Sequence, residues 1–233
     1  MSAPHGRAPL VVVAPDKFKG SLAAADVAAA LARGLRRQVP HARVVEHPVA
    51  DGGEGTVEMV LRHGFRPITC QVDGPTGEPV RARYALRGDV AVIEMAASAG
   101  LALLPGGAPD DRTARTASTF GVGELIRDAL GRGARRIVLG VGGSATTDGG
   151  AGMAAALGAR LSAPSGTVRP AGGASLLSAE RLDLDGLDPR VAEATVVVAC
   201  DVDNPLAGPQ GAAAVYGPQK GPARRPSSCW TGP

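Results

Sequence analysis

The glycine-rich segment GGSATTDGG, residues 142–150, is the part of the sequence whose composition points most directly to chemistry. Gly142 and Gly143 allow close approach of the backbone to a ligand, and successive N–H groups in such a segment can form an anion-binding nest. Ser144 adds a hydroxyl and Asp148 a carboxylate. We predict that the segment binds an anion or a hydroxy acid, and the alternative is tight packing of a helix on a sheet. The segment lacks both the GKS or GKT of a P-loop and the GxGxxG dinucleotide pattern.

A second cluster of charged residues, APDKFKGS, follows the first apolar run of the chain. Asp16, Lys17 and Lys19 precede Ser21, which we predict to be the N-cap of a helix. A strand end that delivers ammonium groups to a helix N-terminus is suited to a polyanion. The alternative is a solvated turn with capping residues. Because the chain has three lysines against twenty-two arginines, lysines retained in a turn favour the binding interpretation.

Carboxylates also follow the second predicted strand, in the turn ADGGEGT. Asp51 and Glu54 could hold a divalent metal, act as a base or bind a substrate hydroxyl, or they could only cap the following helix. Glu94 lies within an apolar strand. Its position predicts either burial beside a partner or a place in the site, and the spacing does not decide between them.

A third group of oxygen ligands closes another apolar strand, in ACDVDNPL. Asp201, Asp203 and Asn204 place oxygens at alternate positions, which suits Mg²⁺ or a polyol. Lys220, in YGPQKG, adds a further basic turn. No pair of histidines has metal-ligand spacing, and no GxSxG or Cys–His arrangement indicates hydrolase chemistry.

The composition limits the classes of partner. The chain has 233 residues, which allows one large or two small domains. Its net charge of +3 falls to +1 without the last thirteen residues, and aromatic residues make up 3%. We therefore expect neither nucleic acid nor a membrane surface as a partner. Three scattered cysteines and no signal segment predict a cytoplasmic protein without a disulfide framework or zinc site.

The elements that must position these groups alternate between strand and helix. Apolar runs predict strands, and patterns of period 3.6 predict helices. This alternation indicates an α/β fold with a largely parallel sheet, in which functional groups lie at the carboxyl ends of the strands. Three strands without a helix between them, within 66–95, predict an antiparallel element or a second subdomain, and 162–177 is predicted to be loop-rich. The predicted strands are 9–14, 43–49, 66–72, 80–86, 90–95, 136–141 and 194–200, and the helices are 22–37, 56–63, 119–130 and 151–157.

Eight segments in this order resemble the bacterial glycerate kinases over residues 10–221: APDKFKGSL, ADGGEGT, GPTGEPV, VIEMAASAGL, STFGVGELI, GVGGSATTDGGAGMAAALGA, ACDVDNPLAG and YGPQKG. The resemblance implies two α/β domains, with a largely parallel sheet in the first, a mixed sheet in the second and the active site in the cleft between them. It implies ATP and Mg²⁺ as cofactors and glycerate as a small-molecule substrate, with 2-phosphoglycerate as the expected product. Association into a homo-oligomer is left open.

The resemblance also suggests boundaries. We expect 9–65 to be the first part of a Rossmann-like domain, 66–220 to be the second domain, and 221–233 to be a tail foreign to the family. Family members continue after PQKG with further segments, so the chain resembles a C-terminally truncated member. Two alternatives to an active kinase are therefore an inactive fragment and a binder of small hydroxy acids or phosphates without catalysis.

Within the matching motifs, the residue roles are hypotheses. Lys17 or Lys19 would neutralise the transferring phosphoryl group, and Asp201 or Asp203 would hold Mg²⁺. Asp51 or Asp148 would accept the proton of the glycerate hydroxyl. The N–H groups of the glycine-rich segment, with Ser144, would hold the glycerate carboxylate or a phosphate. Asp16, Ser21, Glu54, Asn204 and Lys220 complete the set expected to bind substrate or phosphate.

Overall fold

The computed structural model describes residues 8–18, 21–168 and 170–221 of the protein. These residues form two units, one ending at Asp51 and the other beginning at Gly52. No helix in the part of the chain that the structure describes combines the length and apolar character that a membrane span requires. The domain boundaries predicted from the sequence stay a prediction, and most of the tail 221–233 lies outside the described residues.

The first unit contains a parallel strand pair joined by a helix. Strand β1 (Leu10–Val13) pairs in parallel with β2 (Arg43–Glu46), with Leu10 opposite Arg43, and helix α1 (Ala24–Gln38) connects them. A parallel pair requires such a crossover, because its strands cannot be joined by a tight turn. The predicted parallel arrangement is confirmed here.

The predicted N-cap of α1 is wrong. The helix begins at Ala24 with Ala23 as its N-cap, and no side chain caps it. Phe18 and Leu22 exchange backbone hydrogen bonds, with N···O distances of 2.9 and 3.1 Å, and Ser21 N–H also donates to Phe18 O. These bonds hold Leu22 in a bridge to Phe18, so the helix cannot begin directly after Ser21.

The second unit is built on a five-stranded mixed sheet. It begins with α2 (Thr56–Leu61), β3 (Arg66–Asp73), β4 (Pro79–Arg87), β5 (Val90–Glu94), α3 (Ala96–Ala99), α4 (Asp111–Thr116), α5 (Phe120–Gly131) and β6 (Arg136–Gly140). It continues with α6 (Ala151–Ala156), β7 (Arg160–Ala163), β8 (Gly166–Val168), β9 (Arg181–Asp183), α7 (Pro189–Ala192), β10 (Thr195–Ala199) and α8 (Ala212–Tyr216).

The strand order of the large sheet is β10-β6-β5-β4-β3. The strands β10, β6 and β5 are parallel, whereas β5, β4 and β3 form an antiparallel meander. The predicted α/β class and the antiparallel element within 66–95 are confirmed. The segment predicted to be loop-rich also contains strand β8 and part of β7, which belong to a small antiparallel sheet of order β8-β7-β9. Strands of three or four residues are too short for a period to indicate them.

The core of the second unit lies on both faces of the sheet. Tyr84 and Ile93 on one face pack with Leu125 of α5 and are fully buried. On the other face, Ala85 and Val92 form a smaller cluster with Val57 of α2. Because side chains alternate along β4 and β5, one set of residues packs against α5 and the other set packs against α2.

Candidate functional site

Three parallel strands of the second unit end at the same level. Glu94 at the end of β5 and Ala199 at the end of β10 both lie opposite Gly140 at the end of β6. The segments that follow these strands therefore leave the sheet at one edge, where ligands bind in open α/β sheets. These segments contain three of the motifs for which the sequence predicted chemistry. They are 94–100, 141–150 and 200–204.

The turn that precedes α2 packs against this edge through glycines. Gly142 N–H donates to Gly52 O at 3.4 Å, and a Cβ at Gly142 would lie 2.7 Å from the Cα of Gly53. A Cβ at Gly140 would overlap the carbonyl oxygen of Gly52. Close backbone contact therefore requires glycine at 140 and 142, and the packing interpretation of the segment 142–150 holds at Gly142.

The glycine-rich segment is held by its own hydroxyls and by the neighbouring loop. Ser144 Oγ lies 2.8 Å from Thr146 Oγ1 and accepts a hydrogen bond from Thr146 N–H at 3.0 Å. Ala145 N–H donates to Ala99 O at 2.9 Å, and Leu101 N–H donates to Gly143 O at 3.1 Å. These contacts fix the segment to the loop after β5, so its N–H groups are held in place before any ligand binds.

Asp148 is buried, with 1% of its surface exposed, and its carboxylate accepts four hydrogen bonds. Thr119 donates from its N–H at 2.8 Å and from its hydroxyl at 2.9 Å. Gly150 N–H and Gly152 N–H donate at 3.1 and 3.2 Å. Thr119 Oγ1 in turn accepts from Met153 N–H at 2.9 Å. The carboxylate thus joins the beginnings of α5 and α6 to the glycine-rich segment, of which Asp148 is a member.

Lys220 contacts the same segment from the other end of the unit. Its Nζ donates to Thr146 O at 2.5 Å. Burial lowers the pKa of Lys220, and the negative charge of Asp148 partly opposes this effect. The structure therefore brings together Gly142, Gly143, Ser144, Asp148 and Lys220, as members of one loop cluster.

Two further carboxylates lie at the start of α2. Glu54 is exposed, and its Oε1 lies 3.7 Å from the position that a Cβ would take at Gly143. Glu94 Oε1 accepts a hydrogen bond from Val57 N–H at 2.6 Å. Glu94 is half-buried and holds the first turn of α2, so the partner that one alternative required is present, while its place in the site stays a prediction.

Asp201, Asp203 and Asn204 follow β10. Both aspartates are exposed. Asn204 Nδ2 donates to Gln210 O at 3.0 Å, and Asn204 Oδ1 accepts from the Tyr216 hydroxyl at 2.6 Å. Asn204 therefore closes a turn onto α8, while the two carboxylates face solvent.

The fit of this segment to Mg²⁺ follows from its donors. Mg²⁺ at a phosphate site is held by one or two carboxylates and the phosphates, and it keeps several waters. Asp201 and Asp203 supply carboxylates of that kind. Across residues 8–18, 21–168 and 170–221, no group of three or more His, Cys, Asp or Glu side chains could hold a metal ion. An ion held by Asp201 and Asp203 would take its remaining ligands from a phosphate and from water.

The first unit brings three of its predicted residues together. Lys17 Nζ lies 3.1 Å from Asp51 Oδ1, and the Lys17 N–H donates to Asp16 Oδ1 at 2.7 Å. The side chain of Lys17 is largely buried, whereas one third of the Asp51 side chain is exposed. Ser21 lies after this turn, and Lys19 lies outside the described residues.

Sequence reasoning missed Thr119, whose hydroxyl connects Asp148 to α6. The available signal was its place at the start of a predicted helix, in the segment STFGVGELI. A hydroxyl at a helix start usually satisfies backbone N–H groups of its own helix. Here it serves a helix that begins 32 positions later, so the local pattern did not indicate the contact.

A separate cavity of about 490 Å³ is lined by residues of β3 and α5, none of them among the predicted site residues. Asp128 at its wall accepts hydrogen bonds from the Tyr84 hydroxyl at 2.7 Å and from Arg132 Nε at 2.8 Å. Burial and the charge of Asp128 raise the pKa of Cys70 to about 11. This cluster fastens α5 to the sheet and offers no reactive thiolate.

The comparisons with known proteins agree with these motifs. The model of the glycerate kinase family matches residues 11–227, which extends into the segment predicted to be a foreign tail. The chain is 51% identical to a glycerate kinase of Bacillus subtilis (strain 168) over 214 residues, which are 91% of this chain and 55% of that protein. It is 47% identical to the glycerate 2-kinase of Escherichia coli (strain K12), again over 91% of this chain and 55% of that protein.

A crystal structure of a protein assigned as glycerate kinase 2 from Salmonella typhimurium LT2 superposes with a TM-score of 0.77 at 47% identity. The match covers 93% of this chain and 58% of the other. The chain therefore spans little more than half the length of the relatives that it matches.

Proposed function

Because the chain belongs to the glycerate kinase family, we propose that the protein transfers the γ-phosphoryl group of ATP to a hydroxyl of D-glycerate. The observation that carries this proposal is the 51% identity to the Bacillus subtilis glycerate kinase over 91% of the chain. The name of the Escherichia coli relative, glycerate 2-kinase, supports 2-phosphoglycerate as the product.

The proposed reaction places a glycerate hydroxyl oxygen in line with the γ-phosphorus of ATP. A new P–O bond forms, the bond to the β,γ-bridging oxygen breaks, ADP leaves, and the hydroxyl proton passes to a carboxylate. Such transfers depend mainly on positioning and on stabilisation of negative charge. Mg²⁺, when bound with Asp201 and Asp203, would supply positive charge at the phosphate oxygens.

In the first unit, we assign Lys17 and Lys19 to neutralise charge on the transferring group, and Asp51 to accept the hydroxyl proton. Asp51 is better supported than Asp148 for this role. A third of the Asp51 side chain is exposed, whereas the buried Asp148 already accepts from four donors. Asp16 and Ser21 would complete this turn as binding residues.

In the second unit, we assign the N–H group of Gly143 to the glycerate carboxylate or a phosphate, because the N–H of Gly142 already donates to Gly52 O. Preorganised N–H groups stabilise an anion well because they need no reorganisation when it binds. The exposed Glu54 beside Gly143 is placed to accept a hydrogen bond from a substrate hydroxyl. Lys220, which contacts Thr146, would add positive charge next to the glycine-rich segment.

Three of the predicted residues act mainly by fixing the position of the loop backbone. They are Ser144, Asp148 and Asn204. Ser144 fixes the turn through Thr146, and Asn204 closes the turn after β10. Asp148 joins the first residues of α5 and α6 to the glycine-rich segment through hydrogen bonds to their backbone. Their removal is expected to disturb binding through the position of the loops.

The test is D-glycerate-dependent release of ADP by the purified chain with Mg²⁺-ATP. The same chain with the remaining segment of a relative fused behind it is assayed in parallel, and ³¹P NMR identifies the phosphorylated hydroxyl. Release above the no-glycerate control by this chain itself supports the proposal. A folded fused protein that binds glycerate and ATP but releases no ADP would contradict it and would favour the binding-only alternative. Release by the fused protein alone would identify this chain as an inactive part of a kinase.

A further inference from the structure

The cavity between β3 and α5 lies apart from the candidate site and has the size of a small-molecule site, with a volume of about 490 Å³. Four charged side chains line it, from α5 and the residue that follows this helix. Their positions, i, i+3, i+4 and i+8, share one face of a helix. They are Glu124, Arg127, Asp128 and Arg132. The two positive and two negative charges cancel, so the lining favours a ligand without net charge.

We propose that this cavity binds a small zwitterion, an α-amino acid with an aliphatic side chain. The ligand carboxylate accepts hydrogen bonds from the Arg127 guanidinium, and the ligand ammonium group donates to Glu124. The aliphatic side chain lies against β3. The inference concerns a second site of the protein, so it does not depend on the proposed phosphoryl transfer.

One pair of charges in the cavity is already closed. Arg132 donates to Asp128 from Nε at 2.8 Å and from Nη2 at 3.3 Å. The Tyr84 hydroxyl also donates to Asp128, at 2.7 Å. Both oxygens of the Asp128 carboxylate therefore have donors, and this pair is not the one that would receive a ligand.

The other pair of charges is open. Arg127 Nη2 lies 3.8 Å from Glu124 Oε1, which is too long for a hydrogen bond. An α-amino acid carries an ammonium group and a carboxylate on the same carbon atom. One such molecule can therefore give Arg127 an acceptor and Glu124 a donor at the same time, through hydrogen bonds between charged groups.

Both members of the open pair are held in place before a ligand binds. Glu124 Oε2 accepts a hydrogen bond from Asp73 N–H at 2.7 Å, and Arg127 Nη1 donates to Ala156 O at 3.2 Å. Each side chain is thus fixed through one of its polar atoms, while Oε1 and Nη2 line the gap between them. Side chains that are already ordered lose little conformational entropy on binding, which favours affinity.

The wall of the cavity on β3 suits an aliphatic side chain. Val72 is buried and Cys70 is half-buried. Burial and the charge of Asp128 raise the pKa of Cys70 to about 11, so its thiol is uncharged at neutral pH and behaves as a small apolar group. Because side chains alternate along β3, that of Gln71 belongs to the other face of the sheet. Gly131 lines the cavity with backbone alone.

Calorimetric titration of the purified 233-residue chain with L-leucine tests the proposal. Two analogues are the matched ligands: isocaproate has the carbon skeleton of leucine without the ammonium group, and isoamylamine lacks the carboxylate. We expect L-leucine to bind at least ten-fold more tightly than either analogue, because each analogue leaves one member of the open pair without its partner.

Arg127→Gln removes the charge that is assigned to the ligand carboxylate, and Arg135→Gln is the matched control. Arg135 also donates to a backbone carbonyl at 3.2 Å and lies 3.7 Å from a glutamate, Glu193. Its side chain is 47% exposed, against 51% for Arg127. We expect Arg135→Gln to bind L-leucine as the wild type does and Arg127→Gln to bind it at least ten-fold more weakly. Circular dichroism checks that both variants are folded.

Three outcomes would overturn the proposal. The first is the lack of measurable binding of L-leucine by the wild type. The second is equal binding by the wild type and Arg127→Gln, which would make Glu124 and Arg127 an ordinary surface pair. The third is binding of isocaproate as tight as that of L-leucine, which would identify an anion site. The readout is binding that depends on Arg127, so it is independent of whether glycerate is phosphorylated.

Discussion

The ammonium group of Lys220 donates a hydrogen bond to the carbonyl oxygen of Thr146, 74 positions earlier in the chain. The contact joins the motif YGPQKG to the glycine-rich segment. It gives the lysine a structural task in addition to the positive charge that it would offer to a phosphate.

Replacement of Lys220 by Met is expected to destabilise the chain by about 1–3 kcal/mol at neutral pH, because the Thr146 carbonyl loses its donor. Burial lowers the pKa of Lys220 in the folded state relative to 10.5, which penalises the charged form there. The advantage of the wild type over Lys220→Met should therefore grow as the pH rises from the lowered pKa to 10.5. Urea unfolding of both proteins between pH 7 and 10.5 measures it, and an advantage that shrinks with pH would contradict the assignment.

Replacement of Asp148 by Ala is expected to cost at least ~3 kcal/mol, since several buried N–H groups and the Thr119 hydroxyl lose their acceptor. Asp111→Ala is the matched control: its carboxylate belongs to an exposed pair with Arg115, so a change within ~0.5 kcal/mol is expected. Denaturant midpoints measure both. In the active fused protein, we also expect at least ~100-fold lower turnover for Asp148→Ala if the carboxylate or the loop that it holds acts on the transition state. Equal stability of the two variants would argue against the anchoring role.

Replacement of Lys17 or Lys19 by Ala is expected to lower turnover at least ~100-fold in any active form of the protein, because each removes a charge assigned to the transition state. Lys17→Arg should not restore full activity, since the guanidinium is planar and lacks the compact charge of an ammonium. Arg36→Ala is the control, because it removes an exposed ion pair with Glu46 in the same unit. Steady-state ADP release gives the rates. Full activity of both lysine variants would remove them from the mechanism.

Replacement of Tyr84 by Phe is expected to cost about 1.5–3 kcal/mol below pH 9, because the hydroxyl donates to the Asp128 carboxylate. Burial and the hydrogen bond to Asp128 raise the pKa of Tyr84 above its usual value of 10.0. The stabilisation is therefore present below pH 10 and is lost above it, as the unfolded tyrosine ionises first. Chemical unfolding of wild type and Tyr84→Phe from pH 7 to 11 tests this. If the difference in unfolding free energy between wild type and Tyr84→Phe grew above pH 10, the proposed hydrogen bond to Asp128 would be contradicted.

The sheet of the second unit was the most predictable part of the fold. The strands within 66–95 were predicted to within one residue at each end, since β5 is apolar and turn residues separate the strands. The predicted start of α1 was wrong. The bridge between Phe18 and Leu22 is a backbone contact, and the helix propensities of single residues do not describe it. Local patterns predict elements well where burial and propensity agree.

The sequence predicted which loops form the candidate site, but it did not predict most of the hydrogen bonds between them. Parallel strands had to bring the segments after β5, β6 and β10 to one edge. Thr119 lies 29 positions from its partner Asp148, and Thr146 lies 74 positions from its partner Lys220, and no spacing rule reaches that far. The predicted site roles, including those of Lys17 and Asp51, stay predictions until the variants are assayed.

The contact of Gly142 with Gly53, and of Gly140 with Gly52, has a mechanical consequence. Backbone meets backbone there, so no side-chain rotamer is available to absorb a displacement. A ligand that shifts the glycine-rich segment must push the turn before α2 by a similar distance, and with it the carboxylate of Glu54. We therefore expect a ligand bound at one of these two loops to displace the other as well.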